Sequence, residues 1–474
     1  MSTGDAEHRQ QPLAVFDFGK TNAKMFVFAP DLRILDQERS ASAWLEHRLG
    51  DAPCRVLDSE HLWRWMNAAL ARALQRWPLG GVMVSTHGCA AALVGGGRLQ
   101  FPILDYESEP PASVNAAYAE VAPGFDETQA PHLPGGLNLG RQIFWIEASD
   151  PDVLARTEAI LCLPQFWAWK LGAAPVSEVS SLGCHSHLWS PRGKDFSSLV
   201  RARGWRHRFP PFARAGAVLG RHEATPAGGG EAVGLRIHNG VHDSNASLHF
   251  YRSLGHDNCT VVSTGTWVIV LNPRCPLDAL DARRDMLANV TIDGEPTATA
   301  RFMGGREYDL MTRGARCAVD AQAVEAAIRR GQFALPSFAP GGPFPGRAGS
   351  FVGPAAGSEA ERAAIGTLYL ACMTDAVLDL IRSANEVIVD GGLAYNHAFL
   401  GLLGALRDTQ AVLGNTTAEG SAAGAAAIAY EALGHRPALE PCVQVTPWAA
   451  PGLAAYRARW RDLAAAAASH VAEA

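Results

Sequence analysis

The run His242-Asp243-Ser244-Asn245-Ala246 sets one carboxylate between a short apolar strand, from Leu235 to Val241, and an apolar helical stretch at 246–251. Aspartate at a helix start is a favoured N-cap, because its oxygen accepts from the unpaired N–H groups of the first turn. Held at a domain interface, the same residue suits a general base that takes a proton from a substrate hydroxyl. Both readings stand at this point.

Asp17-Phe18-Gly19-Lys20-Thr21-Asn22 is flanked by apolar runs, which predicts a hairpin with these residues at its tip. Such a tip presents backbone N–H, hydroxyl and amide groups, a surface suited to phosphate oxygens. A carboxylate just before it can hold Mg²⁺, usually through water. The plain alternative is a hairpin in which Asp, Gly and Asn are turn formers. Ser263-Thr264-Gly265-Thr266 is a second hydroxyl-rich turn between apolar runs. Converging from opposite domains, two such turns would grip a polyphosphate.

Asp390-Gly391-Gly392-Leu393-Ala394-Tyr395-Asn396 follows an apolar strand. Paired glycines let a flat ring lie on backbone, and Asn396 either bonds that ring or its ribose or caps the next helix. Thr86-His87-Gly88 and Asp105-Tyr106-Glu107 offer polar groups to a polyhydroxylated substrate, although His87 alone is also explained as a structural histidine. No GxxxxGK[ST] loop and no GxSxG elbow occurs, and His222-Glu223-Ala224-Thr225-Pro226 breaks HExxH by its proline.

The elements that must position these groups follow from periodicity. Strands are predicted at 13–16, 25–28, 81–84 and 386–389, and a strand–turn–strand at 259–271. Helices are predicted at 62–74, 363–383, 420–433 and 451–474, with two more flanking 159–163. The stretches 218–235 and 331–357 are rich in glycine or proline and read as a connection and a long surface loop. A hairpin with a small polar tip occurs near residue 17 and again near 264. A strand ending in a glycine turn occurs at 82–88 and again at 387–392. That order predicts two copies of one α/β domain.

The chain has 474 residues, 48% hydrophobic and 19% charged, enough for two large domains with well-filled cores. A net charge of -6 excludes the electrostatic footprint of a general nucleic-acid binder. Nine cysteines with no CxxC pair are read as neither a zinc site nor a disulfide framework. The polar first twelve residues show no signal-type apolar core, and the apolar run at 363–373 is short for a membrane span. A reduced, soluble, cytoplasmic protein is expected.

Taken together, these residues resemble the FGGY carbohydrate kinases of the actin/Hsp70/hexokinase superfamily. Residues 17–24 are similar to the family's first phosphate motif, Thr86-His87-Gly88 to its sugar-side turn, and 142–151 to its interdomain helix signature. Residues 240–246 match G-x-x-D-x-x-A, residues 263–267 the second phosphate motif, 390–396 the adenosine motif, and 419–426 the closing Gly/Ala helix. The matches are collinear over about 13–432. Three departures stand out: Lys20 replaces a small hydroxyl residue, Lys24 stands where Arg is common, and W-x-D-x-R is here Asp105-Tyr106-Glu107-Ser108-Glu109.

The resemblance implies two RNase-H-like (actin-like ATPase) α/β domains, 12–252 and 253–434, flanking an interdomain cleft, with 435–474 as an extension packing on the second. It implies transfer of the γ-phosphoryl of MgATP to a hydroxyl of a small sugar, a ketose of the rhamnulose, fuculose or xylulose kind, with some lean to the rhamnulose/fuculose branch. Asp243 would be the catalytic base and Asp17 would lie near Mg²⁺. Gly19, Lys20, Thr21, Asn22, Thr264, Gly265, Thr266, Gly304, Gly305, Gly391, Gly392 and Asn396 would serve ATP, with Thr264 facing the transferred group. His87, Gly88, Glu107, Asp243 and Ser244 would serve the sugar. Lys20 would neutralise phosphate charge or turn to solvent. No nucleic acid or membrane partner is implied, and a homodimer is left open. The alternative is a sugar- and nucleotide-sensing protein of the same fold that transfers nothing. An ATPase acting on protein partners would leave Asp243 and the helix signature unexplained.

Overall fold

The computed structural model describes residues 11–314, 318–415, 419–437 and 442–466. The chain divides into two compact units. The first takes residues up to 257 with 288–296 and 419–440; the second takes 258–287, 297–418 and 441 onward. The helix Gly420–Ala432 therefore belongs to the first unit, although it lies far along the chain.

The first unit is built on a seven-stranded sheet ordered Val218–Ala224, Val233–His238, Gly81–Thr86, Leu13–Phe18, Asn22–Phe28 and Ile34–Ala41, with Val241–His242 also paired to Gly81–Thr86. Its centre is hydrophobic on both faces, as a sheet covered on two sides requires: Leu13 to Phe16 and Gly81 to Thr86 are all buried. The helix Ser59–Arg76 covers one face, capped by Asp58, whose carboxylate accepts from the His61 N–H at 2.9 Å. Phe18 stacks on Trp167 from the helix Leu163–Lys170, ring centroids 4.8 Å apart.

The second unit repeats this arrangement. Its sheet runs Val443–Gln444, Val412–Gly414, Val387–Gly391, Thr260–Thr264, Val268–Asn272, Pro296–Phe302 and Met286–Val290. In both sheets the central strand pairs antiparallel with the next strand in sequence and parallel with a later one. The outer neighbours also agree, parallel on one side and antiparallel on the other. One supersecondary unit has been used twice.

Three expectations are corrected. Residues 218–235, read as a connection, form an antiparallel pair, Val218–Ala224 with Val233–His238. Gly228, Gly229 and Gly230 lie in the turn, while Gly220 and Gly234 are taken into the strands. Within 331–357, read as a surface loop, Phe333–Leu335 and Ser350–Val352 pair, and Phe333, Ala334 and Leu335 are buried in the core. The helix expected at 363–383 is Glu359–Leu380, and every residue from Ala363 to Asp375 is buried. It is a core helix, not the amphipathic one that apolar residues at 365, 368, 372, 376 and 380 suggest. It is also long and apolar enough to cross a membrane, contrary to the reading of its sequence, yet 83% of that apolar window is buried inside the protein.

His238 ends its strand with Nδ1 2.7 Å from the Gly216 carbonyl. Burial lowers its pKa to about 4; the Gly216 bond works against this and Arg236 with it. The unfolded chain takes up that proton near pH 6.5 while the folded ring refuses it until about pH 4, so stability falls as pH drops through this window. His238→Asn is expected to remove up to about 3 kcal/mol of that acid sensitivity. Urea midpoints of both proteins between pH 7 and pH 4.5 read the difference.

Candidate active site

Asp17 stands on the central strand of the first unit, facing Lys24 across the antiparallel pair and Ser85 across the parallel one. Val241 pairs with Ser85 and His242 with Thr86, so Asp243 begins its helix at the same end of the sheet. Burial and then the Asp243 carboxylate push the Asp17 carboxyl up to about 7; Glu419 adds to the push, while Lys24 and a Ser85 hydrogen bond oppose it. Glu419 is clamped by Lys24, whose Nζ donates to its two oxygens at 2.8 and 2.7 Å. Asp17 thus feels two further carboxylates, Asp243 and Glu419, and the three bring hard oxygen donors to this end of the sheet. That donor set fits a divalent cation of the Mg²⁺ class.

Asp243 is the first residue of the helix Asp243–Ser253, and the cap position falls on His242. The N-cap reading is thereby replaced by a more specific one. Asp243 Oδ1 accepts from the Ser244 N–H at 2.6 Å and from the Ser244 hydroxyl at 3.2 Å. It also lies 3.2 Å from His242 Nε2. Oδ2 carries no hydrogen bond among the described residues, and the side chain is 29% exposed. One oxygen is tethered and the other is open, as a positioned proton acceptor needs.

His242 is itself oriented by a relay. The Asn245 amide donates to the Val290 carbonyl, which turns its Oδ1 onto His242 Nδ1. Nδ1 is therefore the donor and Nε2 points to Asp243. Burial opposes charge on this ring, but Cys184, Asp243 and Asn245 outweigh it and raise its pKa. The helix behind this site is backed by Gly420–Ala432, which approaches so closely that a Cβ on Gly424 would lie 1.9 Å from the Ala246 carbonyl oxygen. Only glycine allows that approach.

Beside Asp243 lies a second polar group. His87 Nδ1 is 2.8 Å from the Gly88 carbonyl oxygen. Burial lowers the His87 pKa, against the pull of Gly88 and Asp243, so the ring is neutral and offers Nε2 as an acceptor. Gly88 leaves no room for a side chain, since a Cβ would meet His242 Nε2 at 2.9 Å and Cys184 Sγ at 3.1 Å.

Lys20 does not turn to solvent. Its ammonium pairs with Asp105, lies 3.3 Å from Glu107, and sits 4.0 Å from the Trp44 ring centroid and 4.6 Å from that of Tyr106. Arg55 Nη1 approaches the other Asp105 oxygen at 3.5 Å. A tryptophan ring and two cations, Trp44, Lys20 and Arg55, thus gather around Asp105 in space. No local signal in the sequence could have named Trp44 or Arg55. Thr21 and Asn22 are exposed at the hairpin tip, which Gly19 closes by donating to the Asn22 carbonyl at 3.0 Å.

The second unit brings its two turns together. Thr264 pairs with Gly391 in parallel register. Its hydroxyl donates to the Asp390 carbonyl at 2.5 Å and accepts from the Leu393 N–H at 2.9 Å. Thr264 is buried, so this hydroxyl ties the turns to each other, where the resemblance had it facing a transferred group. Gly265 and Thr266 are exposed beside it. Gly391 has φ +80°, and a Cβ there would lie 2.1 Å from the Thr264 carbonyl oxygen. Gly305 backs the other turn, its Cβ position 2.2 Å from the Gly265 oxygen, while Gly304 packs on Val268, Phe302 and Leu370. A Cβ on Gly392 would meet nothing within 4 Å, and Gly392 is exposed. Asn396 caps the helix His397–Leu406, its Oδ1 accepting from the Phe399 N–H at 3.0 Å.

Residues 256–437 match the family profile for the C-terminal domain of carbohydrate kinase FGGY. A crystal structure of a carbohydrate kinase from Novosphingobium aromaticivorans is 35% identical, with 97% of this chain and 99% of that chain covered and a TM-score of 0.85. Xylulose kinase from Rhodospirillum rubrum, 16% identical over 96% and 98% of the two chains with a TM-score of 0.73, shares the fold. So does glycerol kinase from Plasmodium falciparum with ADP, 10% identical over 96% and 98%, with a TM-score of 0.73. No curated protein sequence matches the chain. The resemblance carried by the motifs, the duplicated α/β unit and the relationship to a whole carbohydrate kinase agree: this chain belongs to the FGGY family of carbohydrate kinases, ATP-dependent sugar phosphotransferases.

Proposed function

We propose that the protein phosphorylates a hydroxyl of a small ketose, of the rhamnulose, fuculose or xylulose kind, with Asp243 as general base. The observation that carries this is the Asp243 carboxylate, with Oδ1 tethered by Ser244 and Oδ2 open beside neutral His87. In this reading Oδ2 orients the attacking hydroxyl and receives its proton as the phosphoryl group leaves ATP. His87, Ser244 and Glu107 hold other hydroxyls, and the Trp44 and Tyr106 rings give the sugar an apolar wall. The ketose assignment rests on residues 17–24, Ser177-Glu178 and residues 240–247 and their likeness to the rhamnulose/fuculose branch.

Asp17 would hold Mg²⁺, which neutralises charge on the phosphate oxygens when bound. In the same reading residues 12–252 carry the acceptor side and 253–434 the nucleotide side, with 435–474 as an extension and Gly420–Ala432 returning to buttress Asp243. Thr21 and Asn22 at one tip, and Gly265 and Thr266 at the other, offer donors to phosphate oxygens. Gly392 and Asn396 offer an open backbone platform to adenosine.

Two glycine variants separate architecture from ligand binding. Gly391→Ala meets both a left-handed backbone and a neighbouring carbonyl, and is expected to lose more than about 1 kcal/mol of stability. Gly392→Ala should melt as the parent does but bind ATP more weakly. Thermal melts and ATP calorimetry on both read the contrast.

The reaction is tested by ADP release with MgATP across ketoses, aldoses and polyols. Turnover dependent on one ketose is expected. Turnover on aldoses alone would overturn the ketose assignment, and a flat panel beside tight ATP binding would favour the sensing protein.

A further inference from the structure

Cys89, Cys184 and His185 cluster beside His242, which in turn adjoins Asp243, and phosphoryl transfer uses none of the sulfurs. The ligating atoms of Cys89, Cys184 and His185 all lie within 4.8 Å of one another. Cys89 Sγ is 3.8 Å from His185 Nε2, and Cys184 Sγ is 3.5 Å from His242 Nε2. Both thiols are buried, as is His242, while His185 is partly exposed. The four residues come from three separate segments, which is why no CxxC spacing announces them.

Each imidazole is also held as a metal-binding histidine is held. A ligating ring usually donates its other N–H to an oxygen, which fixes the tautomer and aims the free nitrogen. His185 Nδ1 lies 3.2 Å from the Leu137 carbonyl oxygen, and Nδ1 and Nε2 stand 3.7 and 3.8 Å from Cys89 Sγ, so Nε2 is the nitrogen left free for a metal beside that sulfur. His242 Nδ1 is engaged by Asn245, whose amide is fixed in turn by the Val290 carbonyl, leaving Nε2 toward Cys184. The backbones of Cys89 and His185 adopt φ +60° and +37°, a region that non-glycine residues enter at a cost. Two thiolates and two imidazoles form the S₂N₂ donor set that tetrahedral, borderline-soft dications prefer over Mg²⁺ or Ca²⁺.

We propose that Cys89, Cys184, His185 and His242 bind a transition-metal dication of the Zn²⁺ class, and that its binding switches off phosphoryl transfer. The thiols enter as thiolates and His242 Nε2 exchanges its proton for the metal, the protons leaving to solvent. His242 then no longer holds Asp243 Oδ1, from which it stands 3.2 Å away in the metal-free arrangement. The site also pulls on Gly88, whose Cβ position lies 3.1 Å from Cys184 Sγ. The binding site stands by itself; the switch rests on Asp243 being the base.

The test uses the full-length protein, kept reduced with a phosphine so that no disulfide forms. Co²⁺ titration should give a stoichiometric thiolate-to-metal absorption band that Cys184→Ser abolishes and His185→Gln weakens. No band, or a band indifferent to both variants, would overturn the site. Protein loaded with Zn²⁺ and desalted should lose most of its sugar-dependent turnover and regain it with a chelator. Cys184→Ser, compared with its own metal-free rate, should ignore the metal. Full turnover in protein carrying one Zn²⁺ would overturn the switch. Should Asp243→Asn turn over normally, the base assignment fails while the cobalt band is untouched, so the two failures are told apart.

Discussion

Asp243→Asn is expected to lower kcat by roughly 10²–10⁴-fold while ATP still binds. Asparagine keeps an Oδ1 that accepts from the Ser244 N–H and hydroxyl, so the start of the helix should survive. What it removes is the negative charge and the proton-accepting capacity of Oδ2. In a loose transition state the nucleophile needs little prior deprotonation, so much of the loss comes from positioning. A second consequence follows from charge. Asp243 is the leading charged group pushing Asp17 upward, so the Asp17 carboxyl should ionise more readily in the variant. Steady-state ADP release on the preferred sugar, run beside ATP calorimetry, measures both halves. Unimpaired turnover would take Asp243 out of the chemistry.

Asp375→Asn should cost about 3–5 kcal/mol of stability, among the largest effects available to a single substitution in this chain. Its side chain is fully buried in the core helix Glu359–Leu380. Arg457 donates to its two oxygens at 2.6 and 2.8 Å, Arg461 reaches one oxygen at 2.5 Å, and Arg407 Nε lies 3.0 Å away. Asp379, one turn on, shares Arg407 and Arg461 at 2.7 and 2.5 Å. Neutralising Asp375 leaves these guanidinium groups partly buried with half of their counter-charge gone. The helix Leu453–Ala466, which inserts Leu453, Tyr456 and Trp460 into the core, should detach first. Denaturant midpoints give the overall loss, and amide exchange over 453–466 locates it. A midpoint equal to the parent's would show that the arginines find solvent at no cost.

The candidate site divides along the same line as the fold. Asp17 and Asp243 were legible because each ends or follows a short apolar strand, and strand endings depend on local alternation. The hairpins at 13–28 and 259–271 were legible for the same reason. The cage around Lys20 was not, because Trp44, Arg55 and Asp105 reach it from strands and turns far apart in sequence. Thr264 looked like a ligand residue in one dimension; in three, its hydroxyl is spent holding Asp390 to Leu393. The paired strands at 218–224 and 233–238 were hidden by the glycines between them, whereas the helix at 359–380 was legible and only its burial on every side from Ala363 to Asp375 was not.

What the amino-acid sequence by itself determined is the hairpins at 13–28 and 259–271 and the α/β unit that they repeat. These rest on contacts within or between neighbouring segments, where residue type and spacing suffice. Only the tertiary structure decided that Glu419 answers Lys24 across 395 positions, that Lys20 turns to Asp105, and that the thiols of Cys89 and Cys184 meet the His185 ring. Those partners are chosen by where sheets and helices come to rest, and a partner's place along the chain carries no trace of it.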